Sequence, residues 1–262
     1  MKKLSNKRLF LLDMDGTIYL DNHLFDGTLD FLAKVKELGG KYMFVTNNSS
    51  KSVEAYVEKL KKIGISATRD DFLTSTEATI HYINKNYPGK KFYSVGTASF
   101  NKELINKGIN ITTELEDGIF GLVISNDTEI NFKKIEEACI LLGRDVKYIA
   151  TNPDWVCPTA YGYVPDCGCF AEMLKKATGK EPVFIGKPKP DMILMAIENL
   201  GYKKDECVII GDRVYTDIAS GYNAGIDTVL VLSGEATVAD VEKSDIKPVY
   251  IMENIREVYE NI

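Results

Sequence analysis

The 262-residue chain has little of what several protein classes depend on. It holds only two histidines, His23 and His81, and neither lies near a serine or cysteine signature, so both read as incidental. Its five cysteines, Cys139, Cys157, Cys167, Cys169 and Cys207, are odd in number and scattered. That suits reduced thiols in the cytoplasm better than a disulfide framework. Basic charge is not in excess: with a net charge of −6 and a pI near 5.2, nucleic acid and membrane surfaces are poor partners, because both call for a concentrated basic face. No apolar run approaches the ~18 residues of a membrane span. After the basic start, the apolar stretch Leu9 to Leu12 ends at Asp13, too soon for the core of a signal peptide. Internal repeats, low-complexity tracts and long linkers are likewise missing.

What remains is an ordinary globular composition, 45% hydrophobic, in a chain long enough for one large domain or two smaller ones. Short β-rich apolar runs alternate with longer amphipathic stretches. Strands are expected at Arg8 to Asp13, Lys41 to Thr46, Lys91 to Val95, Gly121 to Ser125, Lys147 to Ala150, Pro182 to Ile185, Cys207 to Gly211, Thr228 to Leu232 and Val249 to Met252. The stretch from Lys51 to Ile63 places Val53, Tyr56, Val57, Leu60 and Ile63 on one helical face. Such alternation predicts an α/β protein around a parallel sheet. Turn-prone Tyr87-Pro88-Gly89-Lys90 and Thr178-Gly179-Lys180-Glu181-Pro182 bracket the middle of the chain. Residues 81–181 are therefore read as an inserted α/β domain, and residues 1–80 with 182–262 as the core.

Four segments carry chemistry. Asp13-Met14-Asp15-Gly16-Thr17 follows a buried-looking strand, so Asp13 is expected at the strand's carboxyl end, where open α/β sheets place ligands. Two carboxylates at i and i+2 can share a divalent cation, and Gly16 lets the backbone turn closely around an anion; a plain Asp-Gly turn uses the same residues. Thr46-Asn47-Asn48-Ser49-Ser50 lies between a strand and a helix start, as a phosphate cradle or a simple helix cap would. In Gly186-Lys187-Pro188-Lys189-Pro190-Asp191 the prolines stiffen a loop that aims Lys187. In Gly211-Asp212-Arg213-Val214-Tyr215-Thr216-Asp217, Asp212 again leaves a buried-looking strand. Asp217 follows at a helix start, where a partner for the helix dipole is also common.

Taken in order, these segments resemble the four motifs of the haloacid dehalogenase superfamily. The central insertion, Thr46-Asn47-Asn48 and Gly186-Lys187-Pro188 further resemble its NagD-like branch, which includes nitrophenyl phosphatases and phosphoglycolate phosphatases. The resemblance implies a Rossmann-like parallel-sheet core with a cap, and a phosphatase acting on a small phosphorylated metabolite. Asp13 would be the nucleophile that forms an aspartyl-phosphate, and Asp15 the acid and then the base. Thr46, Asn47 and Gly16 would bind phosphate, and Lys187 would contact the phosphoryl group and offset charge. Mg²⁺ would be held by Asp13, the Asp15 carbonyl and Asp212, with Asp217 behind them on a metal-bound water or orienting the loop.

Within the insertion, Thr151-Asn152-Pro153-Asp154 and Pro165-Asp166-Cys167-Gly168-Cys169 are expected to face the core. Trp155 and Tyr161 are candidates for the pocket wall. Cys167 and Cys169 depart from the small residues common in the branch, and they read as small apolar fillers rather than a Cys-X-Cys metal site. Rival readings are a dehalogenase, which needs neither an acid nor Mg²⁺, a phosphotransferase or phosphomutase, a receiver-like signalling module, and a silent metabolite-binding protein. A homodimer is compatible with the sequence, which leaves the oligomeric state open.

Overall fold

In a computed structural model, which describes residues 4–159 and 161–262, the chain forms two parallel sheets. It runs through β1 (Leu9–Leu12), a small hairpin of β2 (Tyr19–Leu20) and β3 (His23–Leu24), α1 (Thr28–Glu37), β4 (Lys41–Thr46), α2 (Val53–Lys62), β5 (Phe72–Thr74) and α3 (Ser75–Asn86). Then follow β6 (Phe92–Val95), α4 (Ala98–Asn106), β7 (Ile111–Thr112), β8 (Gly121–Ile124), α5 (Phe132–Leu142) and β9 (Lys147–Ala150). An exposed hairpin, β10 (Val156–Thr159) and β11 (Gly162–Pro165), leads to α6 (Cys167–Thr178) and β12 (Val183–Phe184). The last stretch holds α7 (Asp191–Leu200), β13 (Cys207–Gly211), α8 (Ala219–Ala224), β14 (Asp227–Val231), α9 (Val238–Lys243), β15 (Tyr250–Met252) and α10 (Ile255–Glu260).

The six-stranded sheet has the order β15-β14-β13-β1-β4-β5, with every pairing parallel. All four side chains of β1 are buried, which fits a central parallel strand covered on both faces. Phe10 and Leu12 join one apolar cluster with Phe31, Phe44 and Ile255, while Leu9 and Leu11 point into another with Met43, Val45 and Ile209. Strand order reverses direction at the β1–β13 pair. The crevice beyond the carboxyl ends of such a pair is the natural ligand site of an open α/β sheet.

The five-stranded sheet has the order β12-β9-β8-β6-β7, again parallel throughout. Its closing strand, Val183–Phe184, lies past residue 181, so this sheet draws two residues from the segment read as returning to the core. The second apolar cluster also runs on into this sheet: Phe92, Phe100, Val123 and Ile149 share it with Leu9 and Leu11, and Ile83 of α3 and Met192 of α7 belong to it too. Burial of this kind is worth ~1.5–3 kcal/mol per large apolar side chain, so the two sheets share a substantial packed junction.

Local sequence explains the helix starts that matter for the site. Ser52 caps α2 by accepting from the Ala55 N–H, and Val53, Tyr56 and Leu60 form its buried face. Asp166 caps α6 by accepting from the Cys167 N–H. A single π-turn, Val214–Ile218, follows the loop after β13. Among the described residues, no helix is long and apolar enough to cross a membrane.

Candidate active site

Asp13 leaves the end of β1 and Asp212 leaves the end of β13, so the two flank the strand-order reversal. Asp13 is pinned there by its own N–H, which donates to the Ile210 carbonyl at 2.9 Å. The π-turn folds Asp217 back beneath Gly211, where a Cβ would lie 2.3 Å from the Asp217 Cγ; only glycine leaves room for this approach. Asp13, Asp212 and Asp217 thus present carboxylate oxygens within 4.8 Å of one another.

Lys187 reaches into this cluster from the loop before α7. It is 2% exposed, and its Nζ donates to Asp13 Oδ1 at 2.6 Å, Asp217 Oδ1 at 2.6 Å and the Val45 carbonyl at 2.9 Å. Those bonds use all three ammonium protons, so a contact with a phosphoryl group would exchange one of them. Burial opposes the charge, but Asp13 and Asp217 outweigh it and hold Lys187 protonated. Asp217 is fully engaged: its Oδ2 accepts from the Arg213 N–H at 3.1 Å. It orients Lys187 and the loop after β13.

Asp212 differs. Its Oδ2 accepts from the Glu235 N–H at 2.8 Å, whereas the buried Oδ1 has no partner. Burial first, then Asp217, pushes its carboxyl up to about 7. Asp13 is likewise raised, by burial, against the pull of Lys187. A Cβ on Gly16 would meet Asp212 Oδ2 at 2.5 Å, and one on Gly234 would meet it at 2.0 Å, so two glycines form a cradle around this carboxylate. The Gly16 N–H donates to the Tyr19 carbonyl at 2.8 Å. Gly16, expected to bind phosphate, therefore makes space for Asp212 and closes a turn at φ +88° rather than offering a free donor. Crowded, partly unpaired, oxygen-only ligands fit a hard divalent cation such as Mg²⁺.

Asp15, two residues after Asp13, lines the same cleft. The Tyr19 hydroxyl donates to its Oδ2 at 3.3 Å, and Lys59 Nζ stands 3.5 Å from Oδ1 and 3.9 Å from the Tyr19 ring centre. Thr46 Oγ1 accepts from the Asn48 N–H at 3.1 Å, shaping the loop after β4. The Asn47 side chain works as a strut: its Nδ2 donates to Asp154 Oδ1 and to the Lys187 carbonyl, both at 2.9 Å, and its Oδ1 accepts from the Lys187 N–H at 2.8 Å.

Asp13, Asp15, Thr46 and Asn47 line one narrow cleft together with Asp154, Cys157, Asp166 and Arg213. Asp154 and Asp166 lie in the two stretches expected to face the core, whereas Cys157 and Arg213 were not singled out by sequence reasoning. Arg213 Nη1 donates to Asp154 Oδ2 at 2.8 Å and Nη2 to the Val156 carbonyl at 3.1 Å, while Nε stands 2.7 Å from Glu235 Oε2. A basic residue between the two acids of the fourth segment was the available signal, since a buried arginine needs acid partners. The stretches expected to face the core do so. Thr151 Oγ1 lies 2.8 Å from Ser49 Oγ, Asn152 Nδ2 donates to the Asn47 carbonyl at 2.7 Å, and Asp166 lines the cleft.

Trp155 and Tyr161 do not line the cleft. They are 50% and 83% exposed, and Cys157 and Pro158 take the wall instead. Cys167 is buried in the cluster under the five-stranded sheet, with its Sγ 3.7 Å from the Ile124 carbonyl, and Cys169 Sγ bonds the Trp155 carbonyl at 2.9 Å. The sole metal-sized acidic or thiol cluster among the described residues is Asp13, Asp212 and Asp217. His23 and His81 are absent from the cleft.

A parallel α/β sheet with paired aspartates and a buried lysine at its switch point, closed over by a second sheet, defines a class: an α/β protein whose site suits phosphoryl chemistry. Known proteins narrow it. Residues 10–110 match the family model of haloacid dehalogenase-like hydrolases, and residues 184–258 match a second HAD-hydrolase-like model. An acid sugar phosphatase of Staphylococcus aureus is 34% identical over 250 residues, spanning 95% of this chain and 96% of the relative. The crystal structure of a 4-nitrophenylphosphatase from Thermotoga maritima superposes with a TM-score of 0.91 at 37% identity, covering 98% of both chains. That of a glycerol phosphate phosphatase from Mycobacterium tuberculosis in complex with magnesium gives 0.91 at 27% identity, covering all of this chain and 80% of the other. The chain belongs to the haloacid dehalogenase-like hydrolases, in their NagD-like branch.

Proposed function

We propose that the protein hydrolyses small phosphate monoesters, sugar and polyol phosphates among them, in a Mg²⁺-dependent reaction through an aspartyl-phosphate on Asp13. The observation that carries this reading is the convergence of Asp13, Lys187, Asp212 and Asp217 at the switch point, with Asp15 and the loop after β4 beside them. The names and titles of the relatives, a sugar phosphatase and a glycerol phosphate phosphatase with magnesium, support the same class.

Lys187 holds Asp13 in one rotamer by direct bond, and its ammonium favours the ionised, nucleophilic carboxylate. Attack by Asp13 Oδ on phosphorus forms the Asp–phosphate bond and breaks the bond to the ester oxygen, which takes a proton from Asp15. Asp15 then accepts a proton from the water that attacks phosphorus and frees Asp13. Thr46 and the backbone at Asn47 bind the phosphate oxygens. Asp13, the Asp15 carbonyl and Asp212 would hold the cation. When bound, it supplies positive charge against the phosphate and the crowded carboxylates.

The five-stranded sheet acts as the cap, reading the leaving group and excluding water. A small phosphorylated metabolite is the only partner required, and the free cysteines suit the cytoplasm. The test is phosphate release from 4-nitrophenyl phosphate with Mg²⁺, with EDTA, and in Asp13→Asn. Turnover is expected only in the first; metal-independent turnover, or full activity in the variant, would overturn the reading.

A further inference from the structure

The wall of the cleft that faces the leaving group is acidic beyond what the reaction uses. Asp13 and Asp15 belong to the chemistry, but Asp154 and Asp166 line the same cleft, and Arg213 is the only cation among its lining residues. The Arg213 guanidinium is committed to Asp154, Glu235 and a carbonyl, and Asp154 in turn has both oxygens engaged, by Asn47 and Arg213.

Asp166 is left in a different state. It is 2% exposed, its Oδ2 accepts from Asn126 Nδ2 at 3.0 Å, and its Oδ1 accepts from the Cys167 N–H at 2.5 Å. No ion pair with it is present among the described residues, and burial, then Asp154, pushes its carboxyl up to about 7. A carboxylate offers about four acceptor positions, and Asn126, the Cys167 N–H and the Asn152 side chain leave one of them. Cys157 lines the cleft with both Asp166 and Asp15, and burial, then these two acids, pushes its thiol up to about 12. Asp13 and Asp166 line the same narrow cleft, so a group attached to a phosphate at Asp13 has this wall as a neighbour.

We propose that Asp166 is a specificity-determining residue for the leaving group: it accepts hydrogen bonds from an uncharged, hydroxyl-bearing alcohol, a sugar or polyol, and turns away alcohols that carry a second anion. This rests on the phosphatase reading, because it needs a phosphoryl group seated at Asp13. A carboxylate or second phosphate on the leaving group would meet Asp166 while Arg213 is committed to Asp154 and Glu235 and Lys59 stands against Asp15, and that repulsion gives selectivity without any added attraction. A hydroxyl meets the same residue as a donor meeting a charged acceptor, a stronger bond than one between neutral groups.

The experiment compares kcat/KM at pH 8.5 for glycerol 1-phosphate, 2-phosphoglycolate and 4-nitrophenyl phosphate in the wild type, Asp166→Asn and Asp166→Ser, all with Mg²⁺. The first two leaving groups are of similar size and differ in carrying hydroxyls or a carboxylate; the third carries neither. Both variants keep a residue able to cap α6, and thermal melts verify that they fold. In the wild type, glycerol 1-phosphate is the better substrate. Each variant is expected to lower the glycerol-to-glycolate ratio by at least about tenfold while 4-nitrophenyl phosphate changes by less than about threefold. A ratio that stays constant while all three substrates fall together would make Asp166 a purely structural cap and overturn the proposal. So would a wild type that prefers 2-phosphoglycolate. Failure of the wild type to hydrolyse even 4-nitrophenyl phosphate would instead refute the phosphatase reading itself, and the proposal with it.

Discussion

Replacing Asp212 by asparagine removes a charge that the fold holds unfavourably when no cation is bound. The carboxylate is 1% exposed, one of its oxygens has no partner, and its carboxyl is raised from an ordinary 3.8 to about 7. Each unit of such a rise is worth ~1.4 kcal/mol. Above pH 7, where the group is ionised in both folded and unfolded chains, the cost therefore has a ceiling of about 4 kcal/mol, and relaxation brings the working figure to about 1–3 kcal/mol. The sign follows from proton binding. Between about pH 4 and 7 the folded state holds this proton and the unfolded state has lost it, so stability falls as pH rises through that window and levels off above it. Asparagine keeps an oxygen for the Glu235 N–H and has no charge to desolvate. In EDTA at pH 8, Asp212→Asn should melt about 2–8 °C above the wild type, with a smaller gap at pH 5. Added Mg²⁺ should raise the wild-type melting temperature and leave the variant unmoved. Differential scanning calorimetry at the two pH values reads all of this. A variant less stable than the wild type in EDTA at pH 8 would refute the reasoning that Asp212 is a strained ligand rather than a structural acceptor.

Other residues give sharp expectations of their own. Asp154→Ala unties Asn47 and Arg213 at once; it should lower stability by about 3 kcal/mol in denaturant titrations and depress turnover of every substrate alike. Gly234→Ala brings a methyl group against Asp212 Oδ2; the Mg²⁺ concentration for half-maximal activity should rise at least about tenfold while far-ultraviolet circular dichroism stays unchanged. Cys167→Ala and Cys169→Ala should leave the Mg²⁺ response within about twofold of wild type, with only the buried Cys167 losing about 1 kcal/mol of stability. A metal response altered by either would revive a thiolate site.

Much of this architecture can be read from the chain. All nine expected strands form, because buried parallel strands are continuous apolar runs and the motifs sit where such runs end. The unanticipated strands are β2, β3, β5, β7 and the β10–β11 hairpin, each of two to four residues and too short to show a period. Asp13, Asp15, Asp212 and Lys187 were legible because their chemistry lies in local spacing. For Asp154 and Asp166 only the stretch was legible and for Arg213 not even that, since their pairings span 107, 59 and 40 positions and arise only from tertiary packing. The same limit explains Trp155 and Tyr161: aromatic character marked them as wall residues, while Trp155, just before the hairpin, and Tyr161, in its turn, are exposed to solvent. Gly16 was legible as a special backbone position, though the group it accommodates is the carboxylate of Asp212, twelve strands further along the chain.

The central claim is that Asp13 carries the phosphoryl group. It is tested most directly by acid-quenching Asp15→Asn during turnover of 4-nitrophenyl phosphate, whose good leaving group departs without an acid, and reducing the trapped protein with borohydride. The account predicts conversion of Asp13 to homoserine in the peptide containing residues 9–34, in a fraction approaching one per chain. Unmodified Asp13 under those conditions, or a phosphoryl group found on any other residue, would contradict it.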